Sequence, residues 1–193
     1  IQQALDGDEF RLRAQPIECL GGDNCKPRFE VLLRMADSDG VRVQSKALFS
    51  AAERYRLMPQ IDRWVVSRTL AQLDGAAADV TACGANFAIN LSGQSLGDDD
   101  ILVFIEDEIQ KSGLPADCLT FEVTESAAVS NLSKAQQFIE RLHELGCSVA
   151  LDDFGAGLSS FAYLKNFSVN ILKIDGSFIR DITNNRVSES MVA

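Results

Sequence analysis

A single histidine, His143, in 193 residues removes most zinc-binding patterns from consideration. It falls inside a helical stretch and reads as structural or exposed, which also argues against Ser-His-Asp or Cys-His catalysis. No apolar run reaches the length of a membrane span, and the N-terminus lacks a signal-peptide pattern. There is no strongly basic run, and the formal net charge is -10. Sequence-independent binding of a nucleic acid polymer, which needs Lys and Arg to replace counterions, is therefore not expected. If the substrate is an anion, bound metal must offset the local field. Cys-x-x-Cys spacing is absent too. The five cysteines, Cys19, Cys25, Cys83, Cys118 and Cys147, are scattered and odd in number. They read as small buried or loop residues in a reducing, cytosolic setting. Internal repeats, low-complexity stretches and linkers are lacking as well. The 46% hydrophobic content suits one domain with a substantial core.

What is present is an alternation of strands and helices. Strand patterns cover Phe10 to Ile17, ended by Pro16 and a Gly21-Gly22 turn, and Phe29 to Met35. Further strands are expected at Phe87 to Leu91, Leu119 to Val123, Cys147 to Leu151 and Ile171 to Ile174. Helices are expected at Lys46 to Tyr55, from Pro59 onward, at Ile101 to Lys111, and from Leu132 to Leu145 before Gly146. Gly40 opens a loop. This order implies an α/β fold with a parallel sheet or barrel.

Adjacent aspartates, Asp152 and Asp153, end the apolar run Val149-Ala150-Leu151. Two neighbouring carboxylates repel unless a positive charge lies beside them, and a divalent cation is the natural partner. Gly155 and Gly157 suit a loop that passes close to a ligand. Asp pairs also serve as solvated turn or N-cap residues. Other strands carry polar groups near their C-terminal ends as well: Glu30, Asn90, Glu122 with Glu125, and Lys173. A strand covered on both faces should be nearly all apolar. Singly, Glu30 could pair with Arg34, Asn90 could cap a turn, Glu122 could face solvent and Lys173 could snorkel. Jointly, carboxylates and an amide oxygen at successive strand ends form a hard, all-oxygen set suited to Mg²⁺ or Mn²⁺. The C-terminal ends of parallel barrel strands are where active sites are built. Two metals sharing a carboxylate suit phosphodiester hydrolysis, with a lysine nearby to hold the attacking water.

The segments Gln15-Pro16-Ile17, Glu30-Val31-Leu32, Asn90-Leu91-Ser92, Glu122-Val123-Thr124-Glu125, Asp152-Asp153-Phe154-Gly155 and Lys173-Ile174-Asp175, in that order, resemble the bacterial EAL domain. The resemblance covers essentially the whole chain. It implies a TIM-barrel-like (β/α)8 fold with one antiparallel strand. It also implies hydrolysis of cyclic di-GMP to linear pGpG with two Mg²⁺ or Mn²⁺ ions. Glu30, Asn90, Glu122 and Asp152 would hold the first metal, Asp152 would bridge to the second, and Asp153 would be a further ligand. Lys173 would position the attacking water. Glu125 would steady the loop from Phe154 to Ser160. Arg34 would contact a substrate phosphate, where a guanidinium can pair its hydrogen bonds, and Gln15 a guanine edge.

Two departures bear on these expectations. The signature reads Glu-Val-Leu rather than Glu-Ala-Leu, a change at the neutral middle position. The chain ends at Ser190-Met191-Val192-Ala193, soon after the sixth strand. A complete eight-stranded barrel usually needs about 250 residues. The barrel is therefore expected to lack its last two strands, and the resemblance implies that the second metal lacks the family's late glutamate. The chain alone is then expected to turn over slowly or not at all. Its open sheet edges invite dimerisation or strand exchange. The leading reading is a phosphodiesterase; the alternative is a non-catalytic cyclic di-GMP receptor that signals to a protein partner, and membrane anchoring through other domains is compatible with either.

Overall fold

The computed structural model describes residues 1–7, 9–21, 25–35, 43–156 and 164–192. Six strands form one sheet in sequence order: β1 (Phe10–Ile17), β2 (Arg28–Met35), β3 (Asn86–Leu91), β4 (Leu119–Thr124), β5 (Ser148–Phe154) and β6 (Ile171–Ile174). β1 runs antiparallel to β2, and all later pairs are parallel. This is an α/β fold with the expected single reversed strand. The helices are α1 (Gln2–Asp6), α2 (Ser45–Arg54), α3 (Met58–Asp74), α4 (Ala77–Cys83), α5 (Gly93–Leu96), α6 (Ile101–Ser112), α7 (Glu125–Ser130), α8 (Leu132–Glu144), α9 (Gly176–Asp181) and α10 (Arg186–Val192). Among the described residues no helix is long and apolar enough to cross a membrane.

Strand alternation divides the sheet into two chemically different faces. Val31, Leu33, Ile89, Leu91, Phe121, Val123, Val149 and Leu151 alternate onto one face and are all buried. They share one core with Ile61, Val65 and Val66 of α3, Ile101 and Ile105 of α6, and Phe138, Ile139 and Leu142 of α8. The opposite face carries Gln15 paired with Glu30, and Asn90 paired with Glu122. That face is concave. Four steps of about 4.8 Å would put β2 and β6 roughly 19 Å apart in a flat sheet. Yet Lys173 Nζ on β6 lies 3.4 Å from Glu30 Oε2 on β2. The sheet must therefore curl like a barrel wall, although β1 and β6 do not pair among the described residues.

Several expectations need correction. Pro16 does not end β1, which runs on to Ile17 with Pro16 opposite Phe29. β1 is an edge strand in this sheet, where proline is tolerated because half of the backbone N–H groups point away from the single partner. β5 does not stop at Leu151 but extends through both aspartates to Phe154. Its register against β6 shifts between Leu151 and Phe154, which is how a strand absorbs an irregular segment. The cysteines are not all unpaired, because Cys19 and Cys25 form a disulfide. They lie on the two sides of the β1–β2 connection, which brings residues six apart in sequence to a Cα separation of 6.2 Å. Burial pushes the free Cys118 and Cys147 thiols up to about 11 and about 12, Cys118 with help from Asp117 and Cys147 with help from Cys118. Gly22, Gly40, Gly157 and the rest of the loop to Ser160 lie outside the described residues.

Candidate active site

Three of the key polar residues sit in one repeated local unit. Asn90-Leu91-Ser92, Glu122-Val123-Thr124 and Lys173-Ile174-Asp175 each place a polar side chain on the concave face, an apolar one on the opposite face, and then a helix cap. Ser92 caps α5 by accepting from Ser95 N–H, Thr124 caps α7 by accepting from Ala127 N–H, and Asp175 caps α9 by accepting from Ser177 N–H. The strand ends are thus fixed two residues beyond each concave-face side chain.

The side chains converge on Lys173. Its ammonium donates to Glu122 Oε2 at 2.5 Å, Asp152 Oδ2 at 3.2 Å and Glu30 Oε2 at 3.4 Å. Asn90 Nδ2 donates to the other Glu30 oxygen at 3.0 Å. Glu122 is the deepest member, 2% exposed, and Lys173 is half-buried. Burial raises the Glu122 carboxyl pKa. Hydrogen bonding and the charge of Lys173 oppose that shift, and the negative charges of Glu30 and Asp152 add to it. Burial acts to lower the Lys173 pKa, but Glu122, Asp152 and Glu30 together drive it well above the usual lysine range. Lys173 is therefore a fixed positive charge and donor at neutral pH, not a proton acceptor.

Asp153 stands beside the cluster. Its φ is +55°, its N–H donates to Asp152 Oδ1 at 2.9 Å, and its side chain is exposed. Burial, then the nearby Asp152 and Asp175 charges, raise its carboxyl pKa. Glu125 lies apart from the cluster at the start of α7. It is buried and accepts the Gly155 N–H at 2.9 Å, which ties down the turn after Asp153. Gly155 has φ +92°, and a Cβ there would come within 2.7 Å of Phe178, so both backbone and space require glycine. His143 is structural: its Nε2 lies 2.8 Å from Asn170 Oδ1, which also accepts the Val149 N–H.

A cleft of about 380 Å³ adjoins the cluster and is lined by Glu30, Arg34, Asn90, Phe49, Met58 and Asp62, among others. Arg34 is half-buried there, four residues beyond Glu30 on the same face. Gln15 is exposed on β1, opposite Glu30. Asp62 is a functional candidate that sequence reading missed. It is 3% exposed, and its Oδ2 accepts from Ser92 N–H at 2.9 Å and Ser95 Oγ at 2.6 Å. The signal was available: Asp62 interrupts the buried stripe Met58, Ile61, Val65, Val66 and Leu70 of α3.

The donor set of Glu30, Asn90, Glu122 and Asp152 fits a hard divalent cation in kind, being all oxygen and already gathered about one positive group. In spacing it is not yet set for one. Among the described residues, no three histidine, cysteine, aspartate or glutamate side chains stand as close together as an ion requires.

The family model of the EAL domain matches residues 1–193. The chain is 36% identical to cyclic di-GMP phosphodiesterase PdeB of Shewanella oneidensis, over 100% of this chain and 22% of that protein. It is 40% identical to cyclic di-GMP phosphodiesterase PdeF of Escherichia coli, over 100% of this chain and 25% of that protein. It thus spans about a quarter of the length of these curated relatives. A crystal structure of the FimX EAL domain from Pseudomonas aeruginosa bound to c-di-GMP superposes with a TM-score of 0.87 at 33% identity. That match covers 99% of this chain and 75% of the other.

Proposed function

The chain belongs to the EAL domain family, and we propose that it supplies the catalytic face of a phosphodiesterase that hydrolyses cyclic di-GMP to linear pGpG. The observation that carries this proposal is the convergence of Glu30, Glu122 and Asp152, from three strands, on one point beside a cleft that also holds Arg34. Three acids sharing one lysine leave a half-buried site net negative, an arrangement that functional sites favour.

Glu30, Asn90, Glu122 and Asp152 would hold a Mg²⁺ or Mn²⁺ ion, with Asp152 and Asp153 as the donors nearest a second. Bound ions would polarise the phosphoryl oxygens and generate the nucleophile from water at neutral pH. The rest falls to the chain. Arg34 pairs a non-bridging phosphate oxygen and orients the diester along the strand ends. Gln15 offers its amide to a guanine edge. Lys173, held as an ammonium, donates to the attacking water and fixes its direction. Water oxygen bonds to phosphorus as the P–O3′ bond breaks; of the two water protons, one stays on the new phosphate monoester and the other ends on the released 3′ oxygen. Glu125, through Gly155 N–H, holds the turn that carries Asp152 and Asp153 in place.

The test is product analysis of cyclic di-GMP incubated with Mn²⁺ and the chain extended to the length of the EAL structure it matches, beside Glu30→Ala in that same protein. Formation of pGpG that depends on Glu30 supports an enzyme. Tight cyclic di-GMP binding with no hydrolysis, in a protein that folds and binds Mn²⁺, would assign the chain to the receptor class instead.

A further inference from the structure

We propose that Lys173 is a resident counter-cation of the acid cluster, whose ammonium must withdraw before a divalent ion can be seated there. The inference rests on the functional reading above, and it concerns the order of events at that site.

The ammonium contacts all three carboxylates, at 2.5, 3.2 and 3.4 Å. It therefore stands at the point where the acids of β2, β4 and β5 converge. An ion bound by the same oxygens would have to occupy that point, with contacts of about 2.0–2.1 Å for Mg²⁺. Contacts of 2.5–3.4 Å are those of an ammonium and its acceptors. One point cannot hold both cations, whose mutual repulsion in a half-buried site is large.

Charge accounts for both arrangements. Glu122 is 2% exposed and has Glu30 and Asp152 facing it, so without a cation the three would repel and open. Lys173 suppresses this with one positive charge and leaves the set net negative, still attractive to a divalent ion. Its place on β6, beside exposed Asp153 and within electrostatic reach of it, gives the flexible stem somewhere to carry the charge. Withdrawal would also move the ammonium outward, toward where a water poised for attack would stand. Binding the ion and aiming the nucleophile then become one motion.

The test reads binding rather than turnover. Mn²⁺ titration by calorimetry, without nucleotide, should show Lys173→Met binding on the order of tenfold or more tighter than wild type, because the competing charge is gone. Mg²⁺ titration of the wild-type protein, followed by lysine side-chain nitrogen NMR, should shift the Lys173 signal and speed its proton exchange at the same midpoint. The NMR arm stands even if the variant fails to fold. Unchanged or weaker Mn²⁺ affinity in a folded Lys173→Met overturns the proposal, as does a Lys173 signal that stays put while Mg²⁺ binds. If neither protein binds either ion, the metal reading itself falls and takes this one with it.

Discussion

Replacing Asp62 with alanine should destabilise the protein by about 2–4 kcal/mol. Asp62 is 3% exposed and accepts two hydrogen bonds, one from the Ser92 backbone and one from the Ser95 hydroxyl. A hydrogen bond to a charged group contributes about 1.5–3 kcal/mol, so the pair is worth roughly 3–6. Against that stands the cost of burying the carboxylate, which raises its pKa above 3.8 despite both bonds. Water entering from the adjoining cleft would satisfy part of what alanine abandons. For a domain whose whole stability is about 5–15 kcal/mol, the remainder is a large loss. It corresponds to a fall in Tm of roughly 4–16 °C. Asp62→Asn keeps an acceptor of the same shape and should cost less. The two variants also separate a pH effect. The folded protein holds the Asp62 proton more tightly than the unfolded chain, so this group favours folding most below about pH 3.8. That contribution is lost as pH rises through the folded value. Asn has no proton to lose, so its stability relative to wild type should improve over the same climb. Urea unfolding followed by circular dichroism across that range measures both effects. Asp62→Ala within about 0.5 kcal/mol of wild type would refute the account of Ser92 and Ser95.

In the extended protein Glu30→Ala should abolish pGpG formation and weaken Mn²⁺ binding, because it removes a carboxylate that accepts from both Asn90 and Lys173; wild-type turnover by the variant would remove Glu30 from the site. Arg34→Ala should leave Mn²⁺ affinity alone but weaken cyclic di-GMP binding roughly tenfold to hundredfold, the value of lost charge-assisted hydrogen bonds, as read by calorimetry with nucleotide. Gly155→Ala should cost about 1–3 kcal/mol in urea unfolding, since φ is +92° and the new Cβ would meet Phe178 at 2.7 Å; a variant as stable as wild type would mean that this turn is slack.

The strands were legible because their apolar runs are short and bounded by Gly or polar residues, and all six fall where periodicity placed them to within a few residues. The short helices α5, α7 and α9 were not. Each is four to six residues long and carries too little apolar periodicity to register. Their caps could have revealed them, since Ser92, Thr124 and Asp175 each follow a strand directly. The extension of β5 through Asp152 and Asp153 was hidden for a different reason. Charged residues read as the end of a buried strand unless the partner that compensates them is known, and that partner, Lys173, is 21 residues away. Asp62 failed to register likewise: one acid in an apolar stripe looks like noise until Ser92 and Ser95 are seen beneath it.

The register of the sheet supplies a last check on why these side chains meet. Glu30 pairs with Ala88, which pairs with Thr120, which pairs with Ser148. Had the functional residues followed the hydrogen-bonded rows, they would have occupied those positions. Instead they advance by two residues twice, from Glu30 to Asn90 and from Glu122 to Asp152. In a curled sheet the strands tilt against the barrel axis, so a level perpendicular to that axis crosses successive strands at ever later positions. Steps of two are the smallest that climb without turning a side chain to the other face. The positions left behind, Ala88, Thr120 and Ala150, are small and buried. That lets the polar layer sit low against the wall, close enough for a lysine on β6 to reach a glutamate on β2. A bulky residue at Ala88 or Ala150 would lift this layer and part the two ends of the cluster, even though neither alanine carries any chemistry of its own.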